Sequence, residues 1–111
     1  MASTARRDLE RLVFVGFNRR VAALERDDGR LVWDWKSPLG TGYVALLADG
    51  DLLLVSIDGY TYALDPATGR ELWRNELKGL GTGIACLATM RGSSAGGVAA
   101  VEEQAARARS S

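Results

Sequence analysis

The chain has no histidine, a single cysteine (Cys86), two prolines and no net charge, its 14 basic residues balancing 14 acidic ones. Without histidine it lacks the commonest general base and metal ligand at neutral pH, and with it the Ser–His and Cys–His nucleophile pairs. A lone cysteine forbids an intrachain disulfide and fits a reducing compartment. Charge neutrality leaves no electrostatic footprint for nucleic acid or an anionic membrane, although Arg6, Arg7 and Arg11 cluster locally, as do Arg19 and Arg20. No apolar run approaches the ~20 residues of a membrane span. Arg6-Arg7 is followed by Asp8, Glu10 and Arg11, where a signal peptide would place apolar residues. The expectation is a cytoplasmic protein with neither a nucleic-acid nor a membrane partner.

What is present is mainly repetition. Ala23-Leu24 recurs as Ala63-Leu64, Gly29-Arg30 as Gly69-Arg70, Val15 as Val55 and Trp33 as Trp73, each 40 positions later. Gly40-Thr41-Gly42 recurs as Gly81-Thr82-Gly83, a shift of 41 that places one extra residue in a loop. Such a ladder marks an internal duplication. Within each copy, short segments rich in Val, Leu, Trp and Tyr lie between turn signals, the pattern of antiparallel strands. The strands are read as Leu12–Phe17, Arg20–Glu25, Leu31–Lys36, Tyr43–Ala48, Leu52–Ile57, Thr61–Asp65, Glu71–Glu76 and Ile84–Met90. Asp28-Gly29, Asp49-Gly50 and Asp58-Gly59 are hairpin dipeptides, with Thr68-Gly69 in the same role in the second copy.

Four short antiparallel strands in about 40 residues make a propeller blade. The segment Ala63-Leu64-Asp65-Pro66-Ala67-Thr68-Gly69-Arg70-Glu71-Leu72-Trp73 resembles the tryptophan-docking motif of pyrroloquinoline-quinone (PQQ)-like propeller repeats, Ala-x-Asp-x-x-Thr-Gly-x-x-x-Trp. The first copy is looser: Ala23, Gly29 and Trp33 match, while Glu25 replaces the Asp and Asp28 the Thr. The resemblance implies that Trp33 and Trp73 stack over the Ala and Gly backbone of a neighbouring blade. It also implies that Asp65 and Thr68 hold their turn by side chain–backbone hydrogen bonds. Ala23, Gly29, Trp33, Ala63, Asp65, Thr68, Gly69 and Trp73 are therefore read as structural docking residues.

The domain reading is an N-terminal extension over 1–11, two blades over 12–90 (about 12–52 and 53–90), and a linker and tail over 91–111. Arg91–Gly97 has the composition of a flexible linker, and Val98–Arg109 is weakly helical or disordered. Two blades cannot close a ring or bury both outer faces. The chain also opens on the second strand of a blade and ends on the first strand of the next. That offset predicts that Ile84–Met90 pairs with Leu12–Phe17 of an adjacent copy, a heterologous contact that must close. The fold expected is all-β, two four-stranded blades completing a six- or eight-bladed propeller as a homo-oligomer. A tetramer is favoured over a trimer, because PQQ-like repeats commonly build eight blades. The alternative, a piece of a longer propeller chain, sits less well with the Met1 start and the polar tail.

Few residues point to chemistry. Gly79-Leu80-Gly81-Thr82-Gly83 lacks the lysine of a phosphate loop and precedes no helix, so it reads as a turn toward the ring axis. Repeated around a ring, Thr41 and Thr82, with Trp35 and Tyr43, are candidates for a binding mouth. Trp35, which shares a strand face with Trp33, is either interblade packing or an exposed aromatic. The turn aspartates offer no calcium spacing, and Cys86 falls in an inner strand expected to be buried. No residue matches those that hold the cofactor and calcium in quinoprotein dehydrogenases. The reading is a non-enzymatic scaffold, with no cofactor, that binds itself and a protein or small-molecule ligand. The alternatives are a quinone-dependent enzyme subunit and a multivalent carbohydrate-binding ring using Trp35, Tyr43 and Tyr60.

Overall fold

A computed structural model describes residues 9–94. Seven strands form two antiparallel sheets. Sheet A runs β1 (Leu12–Phe17), β2 (Arg20–Glu25), β3 (Leu31–Lys36), and sheet B runs β4 (Val44–Asp49), β5 (Leu52–Ile57), β6 (Tyr60–Leu64), β7 (Glu71–Asn75). Each sheet is a plain meander, every strand paired with its neighbour in sequence. The hairpin turns follow from residues that accept positive φ. Asn18 and Arg19 both take it between β1 and β2, and Asp58 and Gly59 take it between β5 and β6.

Cross-strand rows show which side chains share a face. Phe14, Ala23 and Trp33 lie opposite one another across sheet A, as do Leu54, Ala63 and Trp73 across sheet B. The repeat is thus preserved in register, including a bulge after Ala23 and another after Ala63. We call the face carrying these rows the front of each sheet. The rear of sheet B carries Leu53, Val55, Ile57, Tyr62 and Leu64.

The core is the seam where the front of sheet A meets the rear of sheet B. Val21, Ala23 and Trp33 from one side pack with Leu53, Val55, Ile57, Tyr62 and Leu64 from the other. Leu12, Phe14 and Trp35 extend it on the first sheet, and Val44, Leu46 and Tyr60 on the second. Two propeller-like sheets therefore share one hydrophobic interior, and neither buries a face on its own.

Two sequence expectations about strands need correction. The break between sheets falls between Lys36 and Val44 and not near residue 52, so sheet A holds three strands and sheet B four. The expected strand Ile84–Met90 is reduced to β8 (Leu87–Ala88), which pairs with β9 (Ser93–Ser94). β9 lies within the segment read as a flexible linker, where Ser94 Oγ accepts from the Leu87 N–H at 3.3 Å. The hairpin lies against β4: Arg91 approaches Asp49 at 3.5 Å, and Gly92 lies beside Leu47. Cys86 precedes β8 and is exposed, not buried, because the strand meant to enclose it does not extend that far. The helical or disordered tail expected over 98–109 lies outside the described residues.

Leu53 is completely buried, whereas Val13, at the equivalent place in the first copy, is 42% exposed. In dilute solution, Leu53→Ala is expected to cost about 2–5 kcal/mol and Val13→Ala less than about 1 kcal/mol. Urea denaturation of the two variants checks the contrast.

Candidate functional site

The most specific geometry in the molecule is at the outer end of the seam. Trp33, on β3, lays its ring across the turn that joins β6 to β7. Gly69 stands there at φ +78°, and a β-carbon on it would come within 2.5 Å of Trp33 Cε3. Only a residue without a side chain lets the indole approach so closely. The Trp33 indole N–H donates to the Pro66 carbonyl at 2.8 Å, so the ring is buried with its one polar atom satisfied. Phe14 flanks it, the two ring centres 6.0 Å apart.

The turn that receives the ring is braced by its own side chains. Asp65 accepts from the Ala67 N–H at 2.9 Å, and Thr68 Oγ1 accepts from the Arg70 N–H at 3.2 Å. Three backbone bonds close it, the Thr68 and Gly69 N–H groups to the Asp65 carbonyl and the Asp65 N–H to the Arg70 carbonyl. The first copy builds the same turn from different residues. Gly29 N–H donates to the Glu25 carbonyl, Glu25 N–H to the Arg30 carbonyl, and Asp28 accepts from the Arg30 N–H at 2.9 Å. Where Asp65 braces its turn, the longer Glu25 side chain reaches Arg11 instead, at 3.4 Å. Gly29 has φ +75°, and among the described residues beyond its chain neighbours no atom lies within 4 Å of where a β-carbon would stand. Trp73, the counterpart of Trp33, is 45% exposed. Ala23 and Ala63 are both fully buried beneath the two tryptophan rows.

The aromatic and threonine candidates divide into two groups. Trp35 takes the packing alternative, its ring edge-on to Tyr62 with centres 4.9 Å apart. Tyr60 likewise packs against the core. Neither is presented as a free stacking platform for a sugar. The two Gly-Thr-Gly linkers, by contrast, flank the same turn between β5 and β6. The Thr41 N–H donates to Asp58 Oδ2 at 3.1 Å, and the Gly81 carbonyl lies 3.5 Å from where a β-carbon on Gly59 would stand. Thr41, Thr82 and Tyr43 are exposed. Among the described residues, no group of three acidic, histidine or cysteine residues is placed to hold a metal, and no helix is long and apolar enough to cross a membrane.

Sequence reasoning missed one polar node in the seam. Ser37 Oγ and Tyr62 Oη are hydrogen-bonded at 3.0 Å, both also reach the Leu39 carbonyl, and Arg19 donates to the Ser37 carbonyl at 2.8 Å. It also missed the approach of Val44 to Gly16, where a β-carbon would stand 2.7 Å from Val44 Cγ1. An isolated glycine inside a strand pattern is the available signal for the second. The first joins residues 18 to 25 apart and has no local signature.

Two meander sheets packed face to front, joined through a tryptophan seated on the next sheet's glycine turn, define the class as a β-propeller repeat. A family model described as outer membrane protein assembly factor BamB matches residues 18–107. The chain belongs to this family of PQQ-like propeller repeats. No curated protein matches it significantly.

Gly29 and Gly69 share a left-handed backbone but differ in what stands over them. Alanine at either position is expected to cost about 1–2 kcal/mol in backbone strain. Gly69→Ala is expected to lose roughly 1–3 kcal/mol more, because its methyl collides with the Trp33 ring. Urea midpoints of the two variants, measured on dilute chains, read the difference.

Proposed function

We propose that the protein is a non-enzymatic interaction scaffold that works as a closed ring of identical chains, each supplying two blades. The observation that carries this reading is the inequality of two equivalent faces. Leu53, Val55 and Ile57 on the rear of sheet B are fully buried, while on the rear of sheet A their counterparts Val13 and Phe17 are 42% and 57% exposed. The sequence builds the same apolar face twice and covers it once. An apolar face left open at one end, with Trp73 left 45% exposed at the edge of the other, is satisfied by head-to-tail association that closes on itself.

The strand count supports the same closure. Sheet A lacks the strand that β4 supplies to sheet B, so among the described residues β1 has a free edge. An unpaired edge is a template for another chain. In this proposal the segment around β8 adds to β1 of the next copy. It leaves β9 to do so, a pairing of two residue pairs against the six that join β4 to β5. Three copies would give six blades and four would give eight, and four is the closure favoured. The mouth ringed by the Thr41 and Thr82 linkers is the proposed surface for a protein or small-molecule ligand. The family description names an assembly factor, which supports a scaffold over a catalyst.

Native mass spectrometry of the purified chain tests the proposal. The expected result is a trimer or tetramer without a bound quinone. A stable monomer at micromolar concentration removes the ring, and a quinone-sized adduct with matching absorbance replaces the scaffold with an enzyme.

A further inference from the structure

We propose that the docking seen inside the chain is repeated between chains: Trp73 of one copy seats on the Gly29 turn of the next, its indole N–H donating to the Arg26 carbonyl. The proposal rests on the ring reading above and names the contact that holds the ring together.

Each half of the contact is already built and lacks only its counterpart. The receiving turn at residues 25–30 shares two backbone hydrogen bonds with the turn at 65–70, from the glycine N–H and from the N–H of the first residue, with Asp28 in the place of Thr68. Its glycine has the same left-handed φ, +75° against +78°. Over Gly69 the space is filled by Trp33; over Gly29 no described residue fills it. Arg26 is the repeat counterpart of Pro66, whose carbonyl accepts the Trp33 N–H. The incoming side is equally prepared. Trp73 stands in the row Leu54–Ala63–Trp73 as Trp33 does in Phe14–Ala23–Trp33. It is 45% exposed where Trp33 is 8% exposed.

The occupant is a second copy because the complementary face is this chain's own. Trp33 docks against the rear of sheet B, and the rear of sheet A carries the repeat-equivalent residues Val13, Val15, Phe17 and Leu24 for Leu53, Val55, Ile57 and Leu64. Three of these four pairs remain aliphatic, and the fourth exchanges Ile57 for Phe17. The β8–β9 hairpin lies against β4, at the opposite edge of sheet B from Trp73 on β7.

One difference sets the relative strength of the two seams. Trp35 and Tyr62, which meet edge to face within the chain, have Asn75 and Ala22 as their repeat counterparts, and Ser37 has Leu77. The seam between chains therefore lacks that aromatic pair and the Ser37–Tyr62 hydrogen bond. It opens first, leaving each chain folded on its own seam.

The test uses the full chain and two substitutions on opposite faces, Trp73→Ala and Phe17→Asp, with sedimentation velocity for assembly and far-UV circular dichroism for folding. Wild type is expected to assemble, and each variant to remain a folded monomer, its association weakened at least ~100-fold as for a central interface aromatic. Mixed in equal amounts, the variants are expected to form a heterodimer and nothing larger, since each retains the face that the other has lost. Assembly of Trp73→Ala at wild-type affinity, or two monomeric variants that fail to pair, overturns this seam while the wild-type ring stands. A monomeric wild type overturns the ring itself. Should a substitution unfold the chain, Trp73→Gln or Phe17→Thr takes its place in the same comparison.

Discussion

The seating of Trp33 on Gly69 is the contact on which the rest of the chain depends. A bare glycine in the left-handed region lets the indole reach backbone distance, and the Pro66 carbonyl takes the one polar hydrogen that would otherwise be buried unpaired. The ring then covers one end of a seam whose other members are Leu53, Val55, Ile57 and Tyr62. Neither sheet could stand alone, because a three- or four-stranded meander with an uncovered apolar face has no interior. The tryptophan therefore fixes how far apart the sheets stand and which rows face each other, and the aliphatic residues supply the apolar burial.

A module of this kind is incomplete in a particular way. It holds one finished seam, and it leaves Trp73 exposed at one end and Val13 and Phe17 exposed at the other. Trp73 and the Gly29 turn are separated within the chain by the seam itself, so they cannot meet in one molecule. Association through unlike faces is the geometry that consumes both, and it produces either a ring or a fibre according to whether the rotation closes. In the proposed ring, closure would repeat the Thr41 and Thr82 linkers around a common mouth.

Much of the fold was legible because turn chemistry and strand composition are local. β1, β2, β3 and β5 lie where the pattern of Val, Leu and Trp between Asp-Gly and similar turns places them. β4, β6 and β7 differ at their ends by a residue. The docking residues were legible through the resemblance of one motif, which names the residue types needed for a close aromatic-on-glycine contact. Trp35 was not: its face on the strand is periodic and readable, but whether that face meets Tyr62 or solvent depends on a residue 27 positions away. The terminal segment failed for a related reason. Ile84–Met90 has the composition of an inner strand, yet a strand needs a partner edge, and within one chain only two of its residues find one in β9.

The sequence by itself determined the duplication, which identical residues 40 positions apart display directly, and the strands, the turns and the residue types that dock one repeat on the next, because each of these depends on neighbours within about a dozen positions. Tertiary structure decided which copy of each feature is used. Trp33 and Trp73 are the same residue in the same local motif, as are Gly29 and Gly69. Only packing makes one tryptophan buried and hydrogen-bonded and the other exposed, and one glycine covered and the other open. The reason is that burial belongs to a pair of surfaces, and among the described residues the front of sheet A meets the rear of sheet B while Trp73 and the Gly29 turn have no such counterpart.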